Sequence, residues 1–459
     1  MEEKSSDERI WPVLWDCGAC GVCRAILSLF MFPTAIFILV IDLTKELSDL
    51  LKIVAYKEAE VESPNSDSED SSLDHMLRLL DLVHSYASVE SIASSPDTPW
   101  NKKASQHRSV IMVGAKADLV EGDPMRKMQS LRLTIARHFP ECFLKHITEE
   151  SFVVDNTHAG DTSDQEDRQI VTLRKRIIDL AYKRRPTKQQ IPEEWHKVEQ
   201  EIVSHNVPYV SKTKFRHEIA EKWCPLKEED DLKELLNFLQ SRGKILYADP
   251  PNDPDGLVVL DPKWLFGTIR EIITAEPKWA YPLEYQRQYD NLKNSGVLSG
   301  ELLDLACGKL NIRHIKDCLV FIMNKVSLLI EWKIVDGDSI YLVPCMLKKC
   351  RDIDQSTSSG PAPLYLRLKK GDGERNIQSD LFLRLVVHFG VWVSTQCTAD
   401  QPDLYSNAAL FFVDEKHTVH IVCHSTAIKL YFTIEDASDQ VDTNSFCKTI
   451  LRWVLCQCM

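Results

Sequence analysis

Residue types able to do chemistry stand just after three apolar runs. Asp16 closes Trp11–Trp15 (WPVLW), Asp42 closes Ala35–Ile41 (AIFILVI), and Lys116 and Asp118 follow Ser109–Gly114 (SVIMVG). Short β-branched and aromatic runs of this kind read as buried strands of a parallel sheet. A carboxylate just beyond such a strand sits at the sheet's carboxyl edge, where α/β sheets bind their ligands and where a nucleotide would sit. Cys17, Cys20 and Cys23 (CGACGVC) have metal-ligand spacing. Zinc takes four ligands and no local fourth is evident, so the spacing is read as coincidence and no metal is expected. The last residues, Cys456-Gln-Cys-Met459, match the form of a prenylation signal. Their middle residues are not aliphatic and they follow directly on an apolar helix, so lipidation is not expected. His217-Glu218 lacks the second histidine of a zinc-protease helix.

The elements that must position these residues alternate. A helix is expected over Leu73–Ala87, with Leu73, Met76, Leu77, Leu80 and Val83 at helical spacing. A basic amphipathic segment runs from Met125 to Phe139, a fourth strand covers Ser151–Val154, and a further helix carries Leu173, Ile177, Leu180 and Ala181. Strand–helix alternation of this kind builds a parallel α/β sheet. Glu58–Asp74 holds seven acidic residues, five serines and no base, and reads as a solvated, phosphorylatable insert. Ser94–His107 is a second polar loop.

Beyond Pro186 and Pro192 the rhythm changes. A helix over Asp231–Gln240 stops at Gly243, and two short apolar runs, Lys244–Tyr247 and Leu257–Leu260, flank a Pro/Asp/Gly turn. Helices followed by a two-stranded wing point to a winged-helix unit, and the same sense recurs from Gly296 to Leu347. From Pro361 the pattern is β-rich α+β, with strands at 364–368, 408–413, 418–423 and 428–434 and helices over Leu381–Val391 and Thr443–Leu455.

The 459 residues allow two to four domains, and 44% hydrophobic with 27% charged residues is the balance of a soluble globular protein. A net charge of −13 argues against a dedicated nucleic-acid binder, and the basic runs Arg174–Arg176, Lys183–Arg185 and Lys348–Arg351 are read as solvated faces. Fourteen dispersed cysteines and a polar, acidic start lead to an expectation of a cytoplasmic protein with free thiols. The 17-residue uncharged stretch Ala25–Ile41 is divided by Pro33 and is read as a helix end plus a strand, not a membrane span.

Taken in order, the segments resemble the Roco family. LWDCGAC (14–20) looks like a degenerate strand-then-D-x-x-G-Q motif of a Roc GTPase domain. FILVIDLTKEL (37–47) is similar to the family's next strand and exit, VGAKADL (113–119) to its guanine-reading motif, and VVDNT (153–157) to the strand before the last nucleotide loop. Six further segments resemble the COR domain in the family's order: IPEEW (191–195), LLNFLQSRGKILYA (235–248), VVLDPKWLF (258–266), YLVPCML (341–347), FLRLVVHF (382–389) and LYSNAALFF (404–412).

The resemblance implies a fold of α/β plus α+β type. A partial Ras-like parallel sheet would occupy 1–185, with inserts near 58–72 and 89–108. A linker at 186–190 would lead to a winged-helix-like COR N-terminal half at 191–355 and a β-rich α+β COR C-terminal half at 356–459. Within the family, Asp16, Ala19, Lys116 and Asp118 would be nucleotide-binding positions, and Trp195, Gly243, Asp261, Pro262, Trp264 and Pro344 structural COR positions. No G-x-x-x-x-G-K-[ST] phosphate cradle occurs in the 459 residues. The chain starts at what would be the third strand, so the family's central first strand is missing and the unmet backbone groups beside it would each cost about 1–3 kcal/mol. Ala19 stands at the family's second glycine, Cys20 at its glutamine, and Ala115 at an amide or hydroxyl position. The expected function is therefore a non-catalytic signalling or scaffold module with protein partners and a homodimer made through the COR C-terminal half, its apolar edge at Leu381–Val391 and the strands after Ala408. No catalytic residue, nucleic acid or cofactor is expected. The alternative is the C-terminal part of a GTP-binding Roco protein, whose GTP or GDP with Mg2+ would need a phosphate loop elsewhere in the full chain.

Overall fold

The computed structural model describes residues 14, 35–45, 79–80, 83, 109–138, 144–155, 157, 167–183, 192–253, 255–273, 282–333, 339–347, 364–366, 369–370, 373–374, 379–396, 401–414, 417–424 and 427–434. Asp16, Ala19, the Cys17–Cys23 cluster, the serine-rich insert, the 443–455 helix and the Cys456 terminus lie outside these residues.

β1 (Ile36–Asp42), β2 (Ser109–Ala115) and β3 (Ile147–Val153) form a parallel sheet in that spatial order. The third strand starts earlier than its apolar end alone would indicate, because its first half reads ITEE and only pairing with β2 orders it. Successive residues of a strand face opposite sides. Val110 and Met112 accordingly join Leu43, Leu80, Val83 and, from α1 (Pro124–His138), Met128, Leu131 and Ile135. Ile111 and Val113 join Phe152 and the Ile170, Leu173, Ile177 and Leu180 stripe of α2 (Arg168–Lys183) on the other side. The alternation read from the sequence is thus a three-layer α/β/α arrangement. The apolar Ala35–Ile41 run is a strand in it, and among the described residues no helix is long and apolar enough to cross a membrane.

The next stretch repeats one order of elements. α3 (Glu193–Ser204), β4 (Tyr209–Val210), α4 (Lys212–Phe215, continued by a π turn to Ala220), α5 (Glu229–Ser241), β5 (Leu246–Ala248) and β6 (Leu257–Val259) make the first unit, with strand order β4-β6-β5. After α6 (Pro262–Ile273), the elements α7 (Gln286–Ser295), β7 (Val297–Ser299), α8 (Gly300–Lys309), α9 (Lys316–Lys325), β8 (Ile330–Lys333) and β9 (Ser339–Leu342) make the second, with the equivalent order β7-β9-β8. Local chemistry marks corresponding starts: Ser211 Oγ accepts from Lys214 N at the head of α4, and Ser299 Oγ from Leu302 N at the head of α8. A Glu228/Asp231 capping box opens α5.

The described residues from 364 on build a five-stranded antiparallel sheet in the order β10 (Leu364–Leu366), β16 (Ile428–Ile434), β15 (His417–Cys423), β14 (Ala408–Phe412), β13 (Asp403–Leu404), with α10 (Ser379–Gln396) across it. β11 (Lys369–Lys370) and β12 (Gly373–Glu374) form a separate small hairpin.

Consecutive parts of the chain share their sheets. In the first unit Val210 and Val258 face the core built on Trp195, Phe215, Leu235 and Phe238, while Leu246, Ala248, Leu257 and Val259 face the core of the second unit. In the second unit Leu298, Tyr341 and Val343 face that same core. Ile330, Trp332, Ile340 and Leu342 face α10 and the five-stranded sheet. Helix α10 is thereby sandwiched, burying Phe382, Leu385, Val386, Phe389 and Val393. Within the apolar Leu381–Val391 edge expected to face a partner, Phe382, Leu385, Val386, Val387 and Phe389 are spent inside the chain, because an apolar sheet lies on each side.

Candidate functional site

The carboxyl ends of the three parallel strands come together, as their sequence exits predict. Leu43 N donates to Ala115 O at 3.2 Å, Val154 N to Gly114 O at 2.8 Å, and Ala117 N to Val154 O at 3.3 Å. Gly114 lets this seam close, since a Cβ there would meet the Leu43 side chain at 2.5 Å. Lys116 then takes a left-handed conformation (φ 59°, ψ 43°) ahead of a short turn at Ala117–Leu119.

That conformation directs Lys116 toward Asp42: its Nζ lies 2.7 Å from Asp42 Oδ2. Asp42 Oδ1 accepts from Thr44 N at 3.0 Å and from Thr44 Oγ1 at 2.6 Å. Partial burial works to raise the Asp42 pKa, but the Lys116 ammonium and the two Thr44 bonds outweigh it and bring it down to about 2. The same Asp-x-Thr turn recurs at the exit of β3, where Asp155 Oδ1 accepts from Thr157 N at 2.8 Å and Thr157 Oγ1 at 2.6 Å. Asp155 N in turn donates to Asp167 Oδ2 at 2.9 Å, tying the exit to the start of α2.

Of the nucleotide-binding positions expected from the sequence, the described residues contain Lys116 and Asp118. Both are exposed, on one short turn; Ala115 beside them is buried. The ammonium of Lys116 is neutralised by Asp42, while the Asp118 carboxylate faces solvent as a free acceptor. Sequence reasoning placed Asp42 at this edge but missed its pairing with Lys116. It also missed the role of Thr44 and Thr157, whose signal was the D-x-T repeated after two strands.

The positions that the resemblance set apart as structural lie as follows. Trp195 is buried against Phe238, ring centroids 5.0 Å apart. Gly243 ends α5 at φ 69°, its N–H bonded to Gln240 O at 2.8 Å. Asp261 caps α6, its Oδ1 accepting from Lys263 N at 3.0 Å, and Pro262 is the first helical residue, where no N–H is needed. Trp264 lies against Tyr209 with ring centroids 4.6 Å apart and planes tilted by 31°, and the Tyr209 hydroxyl lies 3.1 Å from His314 Nε2, joining the first unit to the second. Pro344 is buried at the start of a turn after β9.

A concavity of about 220 Å³ is lined by Lys212, Arg216, His217, Glu221 and Glu229, but Arg216 is held by Glu221 and Glu229 at 2.9 and 3.2 Å and Lys212 by Glu229 at 3.0 Å. Among the described residues no group of three or more His, Cys, Asp or Glu side chains could hold a metal ion.

Residues 192–347 match the family model described as C-terminal of Roc, COR-A domain. The stretch coincides with the two repeated units, and the COR resemblance read from the sequence is met there. No curated protein matches the chain. Among solved structures, the chain is similar to Methanosarcina barkeri Roco2 RocCORdC bound to GDP, with 16% identity over 71% of this chain and 77% of that one and a TM-score of 0.41.

Proposed function

We propose that this chain is a non-catalytic Roco-type scaffold module, in which a Roc-like sheet without GTPase activity leads into COR units that make protein contacts. The observation that carries the first part is the Lys116–Asp42 pair, 2.7 Å apart. Catalysis of phosphoryl transfer is almost wholly positioning and charge neutralisation. Here the cation at the strand exits already neutralises a carboxylate of the same edge, and Ala115 offers a methyl group in place of a hydrogen-bonding side chain. Titration of the purified chain with GTP and GDP in the presence of Mg2+ tests this. No heat or fluorescence change at micromolar nucleotide is expected; micromolar affinity overturns it.

The order helix, strand, helix, helix, strand, strand in each repeated unit supports a winged-helix reading of them. Their third helices are unsuited to nucleic acid. α5 opens on Glu229, Asp230 and Asp231, and α9 buries Cys318, Leu319, Val320, Ile322 and Met323. Phosphate contacts need exposed cations instead. Protein contacts, including a homodimer through the C-terminal half, are the function this architecture favours. With α10 enclosed, the rim of the five-stranded sheet is the part left for it among the described residues. A cytoplasmic location goes with this reading.

A second reading keeps the chain as the C-terminal part of a GTP-binding protein. It is favoured by the convergence of Asp42, Lys116, Asp118 and Thr157 at one sheet edge. In that reading Asp118 would accept from a guanine edge, and the phosphates and Mg2+ would be held by residues outside these 459.

A further inference from the structure

We propose that the outer edge of β1 is a self-association site, at which a second copy of this chain pairs antiparallel with Ile36–Asp42 across a two-fold axis at Leu39. Among the described residues β1 pairs with β2 on one side and with no strand on the other. Its sequence, IFILVID, is that of an interior strand. It has six consecutive apolar residues, no Lys, Arg, Pro or Gly, and an unbroken seven-residue register with β2. Edge strands normally carry charge, proline or a bulge, because a bare row of N–H and C=O groups templates another strand. The one charged residue, Asp42, is already neutralised by Lys116 within its own sheet.

Burial points the same way. β2 is buried at every residue after its first, whereas β1 is only partly covered on both faces and Val40 is 63% exposed. By alternation Val40 shares a face with Ile36 and Ile38, which pack toward α2, while Phe37, Leu39 and Ile41 pack on the opposite layer.

The occupant follows from what each register would place together. A two-fold axis makes the added strand antiparallel and the contact self-complementary. Centred on Leu39, it sets Val40 against the second copy's Ile38 and Phe37 against the second copy's Ile41. Apolar meets apolar at five successive positions, and Asp42 meets Ile36 rather than another carboxylate. The most exposed side chain of the strand thus gains a β-branched neighbour on its own face, the favourable kind of cross-strand pair. The helix layers flanking both edges would then meet across the seam, with Ile178 of α2, itself exposed, adding apolar surface. This contact lies on the Roc-like sheet and does not depend on the C-terminal half.

The test compares the unmodified chain with Val40→Lys and Val40→Thr by light scattering over a micromolar concentration series, together with hydrogen–deuterium exchange of the unmodified chain. Lysine at an exposed site leaves the fold intact but puts a charge into the seam, and self-association should weaken about tenfold or more. Threonine, similar in shape, should associate nearly as the unmodified chain does. Amides of 36–42 should become slower to exchange as concentration rises, whatever happens to those of 408–434, which report on the C-terminal half. If the lysine variant associates unchanged, or 36–42 exchange at a concentration-independent rate, the proposal is overturned. Strong protection at all dilutions would show that the edge is covered by a strand of the same chain.

Discussion

In the parallel sheet, β2 is buried along almost its whole length while β1 beside it is half exposed. In the two repeated units the central strands, β6 and β9, are almost fully buried and each sheet feeds a different core from each face. The first region is laced at its strand exits by short polar bonds around Asp42 and Asp155; the second is held by apolar surfaces shared between neighbours. Polar lacing fixes the position of a few side chains. Shared cores make the burial of one unit's sheet depend on the presence of the next unit. The difference teaches that the parallel sheet is held at its carboxyl edge by a few polar bonds, whereas the COR-A-type units are tied to their neighbours through apolar faces buried on both sides.

The largest effect should come from breaking a shared core. Phe389 is fully buried and lies edge-on to Phe411 at 5.0 Å, in a cluster that also holds Trp332 and Leu342 of the second unit. Phe389→Ala should cost about 3–5 kcal/mol. Denaturant unfolding reads the size, and hydrogen exchange reads the location: amides of 330–342 should loosen along with those of 408–432. Loosening confined to the five-stranded sheet would show that the two parts are merely adjacent.

A smaller loss is expected at the turn joining β5 to β6. Gly256 has φ 56°, and a Cβ there would stand 2.6 Å from Ala248 O, a backbone atom with little freedom to move. Asp253 Oδ1 fixes the turn by accepting from Asp255 N at 3.1 Å. Gly256→Ala should destabilise by about 1–3 kcal/mol, seen as a lowered midpoint in urea. An unchanged midpoint would mean that the wing can shift without disturbing the core behind it.

These two sites differ in how far they could be read from the sequence. The Pro/Asp/Gly turn announced itself by composition, and so did the helix stop at Gly243 and the strands β1 and β2. The shared cores did not. Leu257–Val259 is three apolar residues in a row, all buried, so no alternation tells which side chain faces which core; only the presence of apolar layers on both sides decides it. The same blindness made Leu381–Val391 look like a free apolar edge, when two sheets enclose it. At the candidate site the carboxylates were legible from their place after apolar runs. The Lys116–Asp42 bond was not, because its partners are 74 positions apart and meet only through the left-handed turn at Lys116.

Asp42 offers the corresponding test in the parallel sheet. Its pKa, about 2 against an ordinary 3.8, means that its contribution to stability is complete above about pH 4 and is lost as the pH falls toward 2. Lys116 is about half exposed, so solvent screening keeps that contribution to about 1 kcal/mol. Asp42→Asn should lower stability by roughly that amount at neutral pH and flatten the acid limb of a stability–pH curve measured by urea unfolding. A variant whose acid limb matches the unmodified chain's would remove Asp42 from the account of how the strand exits are held.

The smallest effect is expected where charge is paired on the helical units. Lys197 and Glu193 of α3 lie 3.1 Å apart one turn along the helix, both well exposed. Such pairs gain little, since water screens them and two long side chains lose freedom in making them. Lys197→Ala should therefore change stability by less than about 0.5 kcal/mol, with the better helix propensity of alanine offsetting part of the loss. Unfolding midpoints at low and high salt measure it. A salt-dependent loss comparable to that of Asp42→Asn would mean that charge as well as apolar burial holds the helical units. The contrast would then rest on the shared cores alone, because polar pairs would be contributing alike in both regions.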